Sequence, residues 1–198
     1  SSEVEDNEAV DIQNIVFDTG GAIKKRYGYQ VLPSITGTIY NAVTGPITGL
    51  IFFKKNDGTK YLFGIGNYDG QAKAFYKQYD TSTVLPSGVW TDVTGILPSG
   101  YADSNLATLT VANDTVVITL ESSVQQKPFA WAATGSVYQL TADADLPKAT
   151  ISRYHKNILF LSGNPDAPSR VYFSNLGCID TYTATDFFDV ATNDGTLL

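Results

Sequence analysis

The sequence has no methionine, one cysteine (Cys178) and one histidine (His155) among its 198 residues. A single cysteine excludes an internal disulfide and a cysteine-based metal cage. Neither staple is needed, because a domain of this length buries roughly 70% of the surface its unfolded chain exposes. A single histidine leaves little room for nucleophilic catalysis. A Ser-His-Asp arrangement must use His155, yet no G-x-S-x-G elbow accompanies it. A Cys-His pair must join Cys178 to His155, and neither has a flanking signature. We therefore read His155 as structural or solvated and Cys178 as a small loop or core residue. No apolar run approaches the ~18–20 residues of a membrane helix, and no basic region precedes an apolar one as in a secretory signal. With no initiating methionine, a processed chain or a piece of a longer one is expected. Charged residues make up 17%, below the usual ~25%. The net charge of −7 argues against gripping nucleic acid by its phosphates. It is compatible with DNA passing nearby, since an acidic wall repels it.

What the chain does contain favours strands. Twelve Tyr, ten Phe and seventeen Gly suit half-buried strands joined by tight turns. The clearest stretch is Leu106–Leu140. There, LATLTVA and TVVITL flank Asn113-Asp114, and two further short runs follow, Phe129–Ala133 and Val137–Leu140. This predicts one four-stranded antiparallel sheet with a two-residue hairpin turn at its start. The segments on either side follow the same plan. Before it come Ile47–Lys55, the Asn56-Asp57-Gly58 turn, Lys60–Ile65, Ala72–Tyr79 and Val89–Val93. After it come Ala149–Tyr154, a turn at Lys156-Asn157, Ile158–Leu161, Arg170–Ser174 and Phe187–Val190. Three units (47–100, 101–147 and 148–198) thus repeat with the ~40–50-residue period of a propeller blade. The predicted fold is all-β, with antiparallel β-propeller-like blades over 47–198 and an N-terminal arm and hairpin over 1–46. Neither the WD40 nor the kelch motif is present. Three blades are fewer than the four to eight that close a propeller, so a longer chain, other copies or a sandwich packing must complete the arrangement.

The N-terminal part opens with an acidic segment, SSEVEDNEAVDIQN, read as an arm or a solvated tail. Next, Ile15–Phe17 and Ala22–Arg26 flank Asp18-Thr19-Gly20-Gly21, the pattern of a hairpin. Lys24, Lys25 and Arg26 form the only cationic cluster. They are candidates for a DNA-facing or interface patch, against the plainer reading of an edge strand kept soluble by lysine.

Other motifs give no firm site. The carboxylate pairs Asp143/Asp145 and Asp186/Asp189 are candidates for glycoside hydrolysis, which needs two flanking carboxyls. The sialidase Asp-box has no match. Trp90 and Trp131 are candidate sugar platforms, although both fall within predicted strands, where core packing is the default. Gly64-Ile65-Gly66 lacks the third glycine of a phosphate loop and reads as a strand end requiring small side chains. Neither Asp-rich turn continues to the bidentate Glu of an EF-hand. No catalytic residue, cofactor or metal ligand is assigned.

Two stretches carry a family resemblance. One is NEAVDIQNIVFDTGGAIKKRYGY (Asn7–Tyr29), with Asn14, Gly20-Gly21 and Arg26-Tyr27-Gly28-Tyr29. The other is Leu146–Val190, with His155-Lys156-Asn157, Gly163 and the run Ser169 to Ser174. Together they cover about a third of the chain. They resemble segments of tailed-bacteriophage structural proteins of the tail-tube or nozzle type, which carry propeller-like domains. That resemblance implies a virion component of the tail or neck without catalysis or cofactors. Such a protein forms a homo-oligomeric ring around the DNA channel, contacts neighbouring tail proteins, lets DNA pass without specific binding and has no membrane partner. The competing expectation is a carbohydrate-binding or glycan-hydrolysing β-propeller using Trp90, Trp131 and the Asp pairs. An adhesion domain is a third.

Overall fold

The structure is a computed structural model. It describes residues 46–79, 90–121, 126–141 and 143–190, together with two short strands nearer the N-terminus. The chain divides into two compact units, Ser1–Ser34 and Ile35–Leu198. In the first, β1 (Ile15–Phe17) pairs antiparallel with β2 (Ile23–Lys25), in a backbone register that sets Phe17 against Ile23 and Ile15 against Lys25. The expected hairpin is therefore present, while its Asp18–Gly21 turn lies outside the described residues.

The second unit is built from three four-stranded antiparallel sheets, and the described residues include no helix. Sheet 1 contains β3 (Ile47–Lys54), β4 (Lys60–Tyr68), β5 (Gln71–Tyr79) and β6 (Thr91–Asp92). Sheet 2 contains β7 (Ala107–Ala112), β8 (Thr115–Leu120), β9 (Phe129–Trp131) and β10 (Tyr138–Gln139). Sheet 3 contains β11 (Ile151–His155), β12 (Ile158–Ser162), β13 (Arg170–Phe173) and β14 (Phe187–Asp189). In every sheet the strands pair with their neighbours in chain order.

Local chemistry sets the turns. Asn113-Asp114 and Lys156-Asn157 both take positive φ at each central residue, which matches the right-handed twist of the flanking strands. At Lys55–Thr59 the Gly58 N–H donates to the Lys55 carbonyl (3.0 Å) and Gly58 has φ +91°. A glycine suits this longer hairpin because the left-handed position penalises a Cβ. The strand ends lie within two residues of the sequence expectation except in β4. The strand predicted to stop at Ile65 continues to Tyr68 and turns through Asp69-Gly70. Gly64 is not a strand end: a Cβ there would lie 2.5 Å from Phe75 Cε2. The missing side chain makes room for a ring from the neighbouring strand.

Alternation along the strands sorts residues to the two faces of each sheet. Sheet 2 lies between the other two. One of its faces carries Val116, Ile118, Leu120, Phe129 and Trp131, packed against Phe53, Tyr61, Phe63, Ile65 and Ala74 of sheet 1. The other carries Ala112, Val117 and Ala130, packed against Leu159 and Leu161 of sheet 3. All six residues of β8 are buried, as expected for a strand covered on both faces. The first strands of successive sheets adjoin, β3 against β7 and β7 against β11. The three sheets form an open stack.

Candidate functional site

The seams between the sheets position the surfaces on which function must rest. At the seam of sheets 1 and 2, Trp131 stacks on Phe63 with centroids 5.0 Å apart and meets Tyr61 edge-on at 5.5 Å. Its indole N–H donates to the Gly135 carbonyl (3.2 Å). The Val137 N–H donates to the Val93 carbonyl across the seam (2.7 Å). A Cβ on Gly95, which has φ +54°, would lie 2.2 Å from the Val137 carbonyl oxygen, so the backbones approach there as only glycine permits. The other seam is polar at its centre. The Thr110 hydroxyl donates to the Ser152 carbonyl (2.9 Å), the Ser152 hydroxyl to Thr110 Oγ1 (3.1 Å) and the Thr119 hydroxyl to Ser152 Oγ (3.4 Å).

The first hairpin turns of the three sheets gather at one end of the stack. The Asn56 N–H donates to Asp114 Oδ1 (2.9 Å). Asn113 donates through Nδ2 to the Gly177 carbonyl (2.7 Å) and accepts from the Tyr154 hydroxyl (2.6 Å). The result is a hydrogen-bonded rim of Asn- and Asp-bearing turns, the kind of loop surface that a β scaffold offers to partners.

The predicted site residues do not converge. Lys24 and Lys25 lie in β2 opposite Val16 and Ile15, and Arg26 lies outside the described residues. Trp131 is fully buried and Trp90 is 5% exposed, so each indole has the core position expected by default and neither offers a face to solvent. His155 is an exposed strand end and Cys178 is half-buried. The carboxylates serve as clamps. Asp143 accepts the N–H groups of Asp145 and Tyr182, both at 2.9 Å. These bonds, with help from Lys127, hold its carboxyl below the usual carboxylate range. Asp186 accepts the Thr183 N–H (2.9 Å) and Asp189 pairs with Arg170 (3.0 Å). The Asp143 carboxyl, held below its usual range by backbone donors, is poorly suited to act as a general acid. Among the described residues, no group of three or more His, Cys, Asp or Glu could hold a metal ion.

Two features were not foreseen from the sequence. On the outer face of sheet 1, Lys77 is 1% exposed, its Nζ has no hydrogen-bond partner, and it sits 6.0 Å from the Trp90 ring centroid. Burying an ammonium without an acceptor is costly, and the adjacent ring face offsets part of that cost. The second feature is the exposed apolar outer face of sheet 3, together with exposed apolar residues on β3, the edge strand of sheet 1. Leu50 on sheet 1 is 55% exposed, and Ile151 and Phe188 on sheet 3 are each 49% exposed. Alternation indicated that these strands have apolar faces but carried no signal about which faces lack a covering sheet.

No family model, no curated protein and no solved structure matches the chain.

Proposed function

We propose that the protein is a structural component of a phage tail or neck, acting through shape as a propeller-like part of a homo-oligomeric ring around the DNA channel. The observation that carries this reading is the repeated stacking of four-stranded sheets with first strands adjoining and an exposed apolar outer face on sheet 3. Adjoining first strands with outer strands following in chain order is the arrangement of successive propeller blades. A stack that exposes an apolar face at one end is suited to assembly. The hairpin rim supports the same reading, because bonded turns offer neighbouring subunits a preformed surface at little ordering cost. The net charge of −7 suits a channel wall along which DNA slides without adhering. The two stretches that resemble tail-tube or nozzle proteins bring the virion context. A glycan-binding role gains no support from the buried Trp90 and Trp131.

Two measurements test the role. Antibodies raised against the chain, applied to purified tailed phage particles, should label tails or necks in negative stain. Binding to a glycan array without any labelling of particles would instead favour carbohydrate recognition.

A further inference from the structure

Sheet 1 buries a charge on its outer face. Alternation along β4 and β5 puts Leu62, Phe75 and Lys77 on this face, with Lys77 opposite Leu62. Thr91 of β6 pairs with Tyr76, so the preceding residue, Trp90, comes alongside Lys77. All four are buried, and Phe75 meets the Trp90 ring edge-on at 5.2 Å. Among the described residues, the shielded side-chain polar atoms without a hydrogen-bond partner are Lys77 Nζ, Trp90 Nε1 and Asn67 Oδ1. The first two are donors on this face. The third is an acceptor, but alternation along β4 sets Asn67 on the opposite face from Leu62. Asp92 on β6 is exposed, and its carboxylate takes the Thr94 N–H (2.7 Å).

We propose that Lys77 Nζ and Trp90 Nε1 jointly bind one weakly hydrated monovalent anion, a halide ion, which ties β5 to the start of β6. The charge decides the class of ligand. A neutral acceptor such as water satisfies both donors and still leaves a buried ammonium without a counter-charge, which is costly. The reach agrees. Lys77 Nζ stands 6.0 Å from the Trp90 ring centroid, and two hydrogen bonds end to end extend about 6 Å. The apolar character of Leu62, Phe75 and Trp90 sets the preference within the class. The cost of taking an ion out of water falls as the ion grows, so bromide and chloride suit these surroundings better than fluoride. Entry is at the sheet edge, because β6 is a two-residue outermost strand and short edge elements open locally at low cost. The inference does not depend on the tail role.

The test is the melting temperature of the full chain, titrated with sodium bromide, chloride or fluoride against sodium gluconate at matched ionic strength. Bromide should raise it saturably, by about 3–6 °C at a tenfold excess over Kd. Chloride should raise it less, and fluoride no more than gluconate. Lys77→Met keeps an unbranched side chain without the charge. In gluconate it should melt at or above the parent, because it no longer buries an unmatched ammonium, and its response to bromide should be lost. Subtracting its response from the parent's removes the general effect of salt. Trp90→Phe keeps an aromatic ring without the N–H and should weaken the bromide Kd at least about tenfold. A parent that responds to bromide no more than Lys77→Met overturns the proposal, as does a Trp90→Phe variant with the parental Kd. A gain from Lys77→Met with no halide response in the parent assigns the two donors to water and overturns it as well.

Discussion

The two seams of the stack achieve the same geometry with different chemistry. Between sheets 1 and 2 the contact is aromatic, with Trp131 enclosed by Phe53, Tyr61, Phe63 and Tyr76. Between sheets 2 and 3 small side chains bring the sheets together over the buried Thr110, Thr119 and Ser152 hydroxyls. The aromatic seam draws its stability from buried area, which is large and tolerant of small shifts. The hydroxyl seam draws less from area and more from register, because buried polar groups are costly unless their partners align. Sheet 2 can present both chemistries because its residues alternate: Val116 and Ile118 face one way and Thr115, Val117 and Thr119 the other.

The largest expected break is at the aromatic seam. Trp131→Ala removes the ring that four aromatic neighbours enclose and should cost about 3–5 kcal/mol, measured by denaturant unfolding. A loss below ~1 kcal/mol would mean that the seam collapses around the cavity or contributes little. Gly95→Ala attacks the same seam through the backbone. Its Cβ would fall 2.2 Å from the Val137 carbonyl oxygen at positive φ, and a cost of about 1–3 kcal/mol is expected. If the alanine variant melts like the parent, the close approach of the two sheets is not what fixes their spacing.

The hydroxyl seam should yield less to a single substitution. Ser152→Ala leaves the Thr119 hydroxyl without its Ser152 acceptor and removes a donor to Thr110, at a cost of about 1–2 kcal/mol. The Thr119 hydroxyl keeps the Thr108 carbonyl as an acceptor (3.4 Å), so adding Thr119→Val to that variant should cost less than Thr119→Val costs in the parent. A double variant as unstable as the sum of two independent losses would show that the hydroxyls are not coupled.

The sequence revealed much of this scaffold and little of its surfaces. All three sheets were legible because alternating apolar residues ran into turn residues that need positive φ, as at Asn113-Asp114. The extension of β4 to Tyr68 was missed. Two glycines beside Ile65 looked like an end, although Gly64 accommodates the ring of Phe75 and Asp69-Gly70 was itself a turn signal. Lys77 illustrates the harder limit. Its place in an alternating strand fixes the face it lies on, but burial to 1% depends on distant parts of the chain. The same limit hides Leu50, Ile151 and Phe188. An apolar residue at a core-type position looks identical whether or not a sheet covers it, so the uncovered apolar surfaces were the least legible.

The smallest effect expected is a pH dependence confined to the seam of sheets 2 and 3. Asp143 bridges the connector after sheet 2 to Tyr182, which packs beneath sheet 3, by accepting the Tyr182 N–H. Its folded carboxyl titrates below the ordinary 3.8, chiefly through the N–H of Asp145 and then that of Tyr182. A carboxyl depressed in the folded state adds stability that is present above its unfolded value and is lost as pH falls through its folded value. The parent should therefore exceed Asp143→Asn in melting temperature near neutral pH. That gap should narrow only below about pH 4, the ordinary carboxylate range. Val117→Ala on the same seam has no titrating group and should keep a constant gap over the same span. If the Asp143→Asn gap is constant as well, the clamp works by shape and not by charge, and the polar character of this seam ends at its buried hydroxyls.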